Sequence, residues 1–321
     1  MTLPASNTSG PPRRRRRRQW WLLLFLLCLQ PLILIVALQR RLIYHPLRET
    51  PDRERAATAL RAAIQPVTVP TDDGLDLNGW LIPATDEPSS GLAATVADGR
   101  PLCLWFNGNA GHRAHRLPHI SLIRQLGAHV LIVDYRGYAE NPGSPSEEGL
   151  AKDARAVWKY ARETLRVPAE RLVVCGESLG GGVATRLAVD LCTAGTPPAG
   201  LFLQATFSSL VAAGSHHYPL LPVRWVLRDR FDSLSRIPKI TCPIAMVHGR
   251  QDWIVPFEQG QALFNAAPVQ SSSGTPKSFT ELPTAGHNDI LDPDAGAIHL
   301  WIESLAGVLP HVTPPVEPAV P

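Results

Sequence analysis

Acidic residues are missing from the first 41 positions of this 321-residue chain, and that gap is more telling than the overall balance. The formal net charge is +3, but eight arginines (Arg13 to Arg18, Arg40 and Arg41) fall inside the acid-free stretch, so the remainder carries −5. A mildly acidic body has no electrostatic case for nucleic acid, and no nucleic-acid partner is expected. Cysteine is scarce as well. Its five copies form neither a CxxC metal spacing nor a disulfide framework, and they are uninformative about compartment. Charged residues make up only 18% against 45% hydrophobic, far from the composition of chains that stay disordered. The length allows one large folded domain or two small ones.

One long apolar run is present. Trp20 to Leu38 contains a single polar residue, Gln30, and at about 1.5 Å per helical residue it reaches about 28 Å, close to a bilayer core. A transmembrane helix is expected over 20–38, with Pro31 tolerated inside it. Six arginines before the run against two after it place the N-terminus in the cytoplasm and the rest of the chain on the extracytoplasmic side, periplasmic or extracellular. A cleaved signal peptide is the competing reading. Arg17-Arg18-Gln19-Trp20-Trp21-Leu22 also has the look of a twin-arginine export signal, which leaves the same side outermost. The expected layout is a basic arm over 1–19, the membrane helix over 20–38, a juxtamembrane linker over 39–66, a domain over 67–307 and a proline-rich tail over 308–321.

From Val67 onward, short β-rich runs alternate with helix-length segments. Strands are expected at Val67–Val69, Leu77–Ile82, Leu102–Phe106, His129–Asp134, Leu172–Cys175, Leu201–Ala205, Ile244–His248 and Ser278–Leu282. Helices are expected at Arg113–Gln125, Glu147–Leu165, Leu179–Thr193, Glu258–Ala266 and Asp294–Leu305. Apolar strands alternating with helices predict an α/β fold with a mostly parallel twisted sheet covered on both faces. Function in such folds collects at the carboxyl ends of the strands. Phe207 to Pro238 breaks the rhythm and is expected to form a small cap; Ala84 to Pro101 reads as a surface loop.

Gly176-Glu177-Ser178-Leu179-Gly180 stands directly after one apolar strand and directly before a helix. A GxSxG in that context predicts a sharp turn that lifts a serine hydroxyl above the sheet; without it, the same residues are only a glycine-rich turn. A serine becomes a nucleophile when a histidine oriented by a carboxylate takes its proton. The chain order fits: Asp252 follows the strand ending at His248, and His287 follows the strand ending at Leu282. Asp252 also reads as a simple turn residue, with Asp289 and Asp292 as reserve acids. Stabilising a tetrahedral oxyanion takes two N–H groups, one from Leu179 and one from an earlier strand–helix loop, for which Asn107-Gly108-Asn109-Ala110-Gly111 is suited. That loop also reads as an ordinary Asn-Gly turn.

With these motifs in place the chain resembles the α/β-hydrolase superfamily over about 67–307. GESLGGG at 176–182, HGRQDWIVP at 248–256 and AGHND at 285–289 match the nucleophile elbow, acid loop and histidine loop, and Asp134-Tyr135-Arg136-Gly137-Tyr138 resembles the signature after the fourth strand. Tyr44-His45-Pro46 behind the apolar run is similar to a branch of membrane-anchored serine hydrolases linked to lipid, thioester and other acyl hydrolysis. The resemblance implies Ser178, Asp252 and His287 as catalytic residues and the N–H groups of Leu179 and Asn109 as the oxyanion hole. Water completes the reaction, so no metal or organic cofactor is called for. An acyl ester or thioester, lipid-like by preference, is the implied substrate. Tyr218, Leu221 and Trp225 of the cap are candidate substrate-binding residues, or else packing between cap and body. A serine peptidase on the same triad and a non-catalytic binding protein on the same fold are the alternatives. Two departures stand out: Asn107-Gly108-Asn109 replaces the usual His-Gly-Asn, and Gly137-Tyr138-Ala139-Glu140-Asn141-Pro142-Gly143 replaces Gly-Tyr-Gly-x-Ser.

Overall fold

The computed structural model describes residues 20–21, 30, 33–86, 91–292 and 297–310. The chain divides into two compact units, 1–43 and 44–321. In the first, residues 33–43 are helical, and Gln39 Nε2 donates to the Val36 carbonyl at 2.8 Å. Residues 1–19, most of the apolar run (22–29 and 31–32) and the tail from 311 lie outside the described residues. Among the described residues no helix is long and apolar enough to cross a membrane.

The second unit is built on an eight-stranded sheet. In chain order the strands are β1 (His45–Pro46), β2 (Gln65–Pro70), β3 (Asp76–Ile82), β4 (Leu102–Phe106), β5 (Ala110–Gly111), β6 (His129–Val133), β7 (Leu172–Glu177), β8 (Gly200–Gln204), β9 (Ile244–Gly249) and β10 (Ser278–Leu282). The large sheet runs β10-β9-β8-β7-β4-β6-β3-β2, and β1 pairs with β5 in a separate ribbon. β2–β3 and β3–β6 are antiparallel, and every other pair in the large sheet is parallel. The central strands are buried on both faces, which is why they read as continuous apolar runs rather than alternating ones. Cys103 and Trp105, Val130 and Ile132, Val173 and Cys175, and Ala245 and Val247 share one face, closed by Ile120, Ile123, Trp301 and Leu305 from the helices Leu117–Gln125 and Ile298–Ala306. On the sequence pattern the other residues of each strand face the helices Glu147–Lys159 and Leu179–Thr193.

Most elements fall where periodicity put them, and the differences have local reasons. The segment expected as one helix from Arg113 opens as a 3₁₀ turn, Arg113–Arg116, and becomes α-helical at Leu117, with Pro118 in the first turn, where a missing N–H costs nothing. The helix from Glu147 is α-helical to Lys159 and closes in a π turn, Tyr160–Thr164. The expected linker is not featureless: it holds β1 and the helix Arg53–Leu60, capped by Asp52, whose carboxylate accepts from the Arg55 N–H at 3.0 Å. Only Ala56 and Leu60 of that helix are buried, too short a stripe to register as amphipathic. The expected loop at 84–101 contains a helical turn, Leu92–Thr95. The cap consists of three short helices, Leu210–His217, Val223–Val226 and Ser233–Arg236.

Candidate active site

Ser178 lies between the last residue of β7 and the first of the helix Leu179–Thr193, with φ at 53° and ψ at −115°. A side chain in that conformation is strained by roughly 1–3 kcal/mol and persists only where its surroundings dictate it. They do so here. The Ser178 N–H donates to the Gln204 carbonyl of β8 at 2.9 Å, and its own carbonyl accepts from Thr206 Oγ1 at 2.8 Å. The flanking glycines answer to space: a Cβ at Gly176 would collide with the Gly180 carbonyl, and one at Gly180 with the backbone at Phe106 and Asn107. The helix therefore starts hard against the end of β4.

His287 Nε2 is 3.0 Å from Ser178 Oγ, and its Nδ1 is 2.7 Å from Asp252 Oδ2. Of the three, Ser178 follows β7, Asp252 follows β9 and His287 follows β10, so three strand ends separated widely in sequence meet at one sheet edge. A carboxylate on Nδ1 assigns the proton there and leaves Nε2 bare toward the hydroxyl, the tautomer that accepts the serine proton. Of the reserve acids, Asp289 has its carboxylate engaged elsewhere. Asp289 Oδ1 accepts the Gly286 N–H at 2.5 Å, closing the histidine loop, and the Asp292 N–H donates to the Asp289 carbonyl.

Asp252 is buried, and its ionisation is built in. Its Oδ1 accepts the N–H groups of Ile254 at 2.9 Å and Val255 at 2.7 Å. Burial opposes the charge, but hydrogen bonds from His248, His287 and the Val255 N–H outweigh it and hold the carboxyl at about 2. His248 is the residue that motif spacing missed as a participant. Its Nε2 donates to the Val255 carbonyl at 2.8 Å and lies 3.3 Å from Asp252 Oδ2. The ring is wedged against Gly260, where any Cβ would collide with it. One signal pointed to it: His248 and Asp252 are four apart around a tight turn, the spacing at which the strand end folds back on the acid.

The loop carrying Asn109 is held from three sides. The Asn107 carbonyl accepts from Tyr135 Oη at 2.9 Å, and the Asn109 carbonyl from Tyr138 Oη at 2.8 Å and the His45 N–H at 3.1 Å. The pairing of His45–Pro46 with Ala110–Gly111 is the structural use of the Tyr-His-Pro segment. With its two carbonyls drawn to the tyrosines and to β1, the loop has its plane set before any ligand arrives. Leu179, 2% exposed, opens the helix, and its N–H is one of the four that have no carbonyl within the helix to bond.

Both departures from the family pattern belong to one buried ion network. Asn107 Nδ2 donates to Asp134 Oδ1 at 3.2 Å, and the Arg113 N–H donates to the same oxygen at 2.8 Å. The Arg113 guanidinium bridges Asp134 and Glu140, the residue that the altered 137–143 segment supplies, and lies over the Trp80 ring at 4.8 Å. Burial pushes the Asp134 carboxyl up to about 6, against the pull of Arg113. A neutral, donating Asn107 suits that position, because it brings a hydrogen bond without adding another titrating group to a buried cluster. Behind the elbow, the His119 ring sits 4.9 Å from Trp105 and 5.8 Å from Trp301, and Gln204 links it to Trp301 Nε1.

The cap residues stand apart from this density. Tyr218 is 61% exposed and Trp225 80%, so neither packs the cap onto the body, and Leu221 is also exposed. The cap meets the site edge through His217, whose Nε2 donates to the Ile254 carbonyl at 2.8 Å, two residues from Asp252. Among the described residues no group of three or more His, Cys, Asp or Glu side chains is placed to hold a metal ion.

A mostly parallel sheet with a strained strand-to-helix serine turn and a histidine at the same edge defines an α/β hydrolase, and a family model described as alpha/beta hydrolase fold matches residues 105–294. The chain belongs to that family. It is 39% identical over 80% of its length to the uncharacterized protein Rv2307c of Mycobacterium tuberculosis, covering 83% of that protein. It is 36% identical over 54% of its length to lysophosphatidylserine lipase ABHD12 of Danio rerio and spans about half (48%) of that longer chain. Among solved structures, an esterase of Pyrococcus furiosus, Pf2001, is similar at a TM-score of 0.60 and 18% identity, over 83% of this chain and 97% of the other; at that identity the likeness is one of fold.

Proposed function

We propose that this protein is a membrane-anchored serine hydrolase that cleaves an acyl ester, or a thioester, of a lipid-like substrate. The observation that carries the reading is the unbroken contact chain from Ser178 Oγ through His287 to Asp252, at 3.0 and 2.7 Å, on a strained turn. His287 Nε2 takes the Ser178 proton as Oγ attacks the acyl carbonyl. The N–H groups of Leu179 and Asn109 receive the developing oxyanion. His287 then returns the proton to the leaving oxygen or sulfur, and water, deprotonated by the same nitrogen, releases the acid. Asp252, ionised across the working range, holds the Nδ1 proton and stabilises the imidazolium that forms at each step.

The lipid preference is supported by the exposed aromatic and aliphatic residues Tyr218, Leu221 and Trp225 of the cap and by the name of the ABHD12 relative. Anchoring with the 44–321 unit on the extracytoplasmic side is supported by the apolar run 20–38 and its arginine asymmetry. Labelling with a fluorophosphonate probe tests the chemistry: wild type is labelled and Ser178→Ala is not. Labelling that survives Ser178→Ala would sink the reading. Protease digestion of intact cells tests the topology, and a 44–321 unit protected from external protease would reverse it.

A further inference from the structure

Away from the catalytic edge, two thiols meet at the opposite end of the fold. Cys192 lies in the last turn of the helix Leu179–Thr193, and Cys242 lies two residues before β9. Both are free. The Cys192 sulfur accepts the Thr241 N–H at 3.3 Å, which seats it against the backbone leading into Cys242. Thr241 is itself pinned, its carbonyl accepting the N–H and hydroxyl of Ser272 at 2.8 and 3.1 Å. Cys192 is half-buried and open to a reagent, whereas Cys242 is buried behind it.

We propose that Cys192 and Cys242 are a disulfide-forming pair whose bond closes a covalent loop around the whole cap. The two residues differ in the way the chemistry requires. Interaction with Cys242, helped by Thr241 and opposed by burial, lowers the Cys192 thiol, and the same interaction together with burial raises Cys242, so Cys192 is the more acidic of the two. The Cys192 thiolate attacks one sulfur of a disulfide donor such as oxidised glutathione and expels a thiolate, forming a mixed disulfide. Cys242 then transfers its proton to solvent and attacks the Cys192 sulfur, expelling the second glutathione thiolate. Counted from the Cys192 thiolate and the Cys242 thiol, the protein loses two electrons and one proton; the electrons reduce the donor to two glutathione thiolates and the proton goes to solvent. The extracytoplasmic side expected from the N-terminal arginines is where such donors prevail.

Cys103 and Cys175 provide an internal contrast. They lie on the adjacent strands β4 and β7, but both are fully buried in the sheet core, so no donor reaches either. The bond proposed for 192–242 spans the cap at 207–238 and ties the helix bearing Ser178 to the strand leading to Asp252. Neither the pair nor its test depends on the hydrolase reading.

The test treats the full-length protein in detergent with oxidised glutathione, alkylates remaining thiols after denaturation, and maps peptides by mass spectrometry. A linked pair of peptides carrying Cys192 and Cys242 is expected, with Cys103 and Cys175 still alkylatable. The oxidised form should melt about 5–10 °C above the reduced one, as a loop of this size implies. Cys242→Ser should stop at a mixed disulfide on Cys192. Wild type that likewise stops at the mixed disulfide, or that keeps both thiols free, overturns the proposal; a crosslink that leaves the melting temperature unchanged overturns its role as a staple.

Discussion

The elbow and the cap are built to opposite specifications. Ser178 is fixed by two backbone hydrogen bonds, two crowded glycines and a buried sheet, whereas the cap presents Leu220 at 97% exposure and Trp225 at 80%. Strain is affordable only at the first. A rigid sheet edge can hold reacting groups within a few tenths of an ångström, while an exposed set of short helices can change its residues without disturbing them. The chemistry and the choice of substrate are therefore expected to break separately, and substitutions in the two regions should fall into two classes.

The largest effect belongs to the elbow. Ser178→Ala is expected to lower kcat by about 10⁴- to 10⁶-fold with KM little changed. Ser178→Gly should be equally inactive but more stable than wild type by about 1 kcal/mol, because glycine adopts positive φ without cost. Thermal melts of the two variants would check this, and a less stable glycine variant would refute the strain argument. Next is Asp252→Asn, expected to cost about 10⁴-fold in kcat by inverting the tautomer of His287 while leaving the fold intact. Full fluorophosphonate labelling of that variant would move the acid elsewhere.

The buried wall behind the elbow predicts a pH effect on stability. Burial, reinforced by Arg116 and opposed by Glu177, lowers His119 from 6.5 to about 4, so its folded-state pKa lies below its unfolded one. The neutral ring contributes fully above pH 6.5, and the contribution is lost as pH falls through 4, a change of about 3 kcal/mol. His119→Gln should flatten urea-melt stability between pH 6.5 and 4 relative to wild type. An unchanged slope would show that His119 does not bind its proton on unfolding. His248 acts through Asp252 as a positioning residue. Replacing it by Phe removes its hydrogen bond to the Val255 carbonyl and its 3.3 Å contact with the Asp252 carboxylate, and should lower kcat roughly 10- to 100-fold. The acid limb of its pH–rate profile should shift, which a merely structural loss would not produce.

Much of this is legible in the sequence itself. The apolar β4, β7 and β9 runs and the helix after Ser178 declare an α/β sheet, and the glycine spacing declares the elbow. Asp252 and His287 are readable because strand ends in such a sheet converge. What the chain order hides is long-range polar pairing. Nothing local shows that Arg113 closes on both Asp134 and Glu140, and the altered 137–143 segment reads as a departure until Glu140 is seen on Arg113. Likewise the 39–66 segment reads as a linker because its helix buries only two residues and β1 spans only two, so no periodicity develops. The cap residues were ambiguous for a further reason: composition cannot tell an apolar side chain that packs from one that stays in solvent.

The smallest expected effect tests the cap itself. Trp225 is exposed beside Arg224, with their contact at 5.2 Å a surface one, so truncating it removes no buried support. Trp225→Ser should leave the melting temperature and the hydrolysis of a short acyl ester unchanged. If a long acyl chain lies across this face, the loss of its aromatic contact, at about 25 cal/mol per Å² over part of an indole, raises KM for that substrate by roughly 5- to 20-fold without changing kcat. The ratio of kcat/KM for long and short esters is the measurement. An equal fall for both would mean that the cap supports the elbow after all and that the two regions are not separable. A ratio that does not move would place the acyl chain elsewhere and leave the exposed cap without a part in substrate choice.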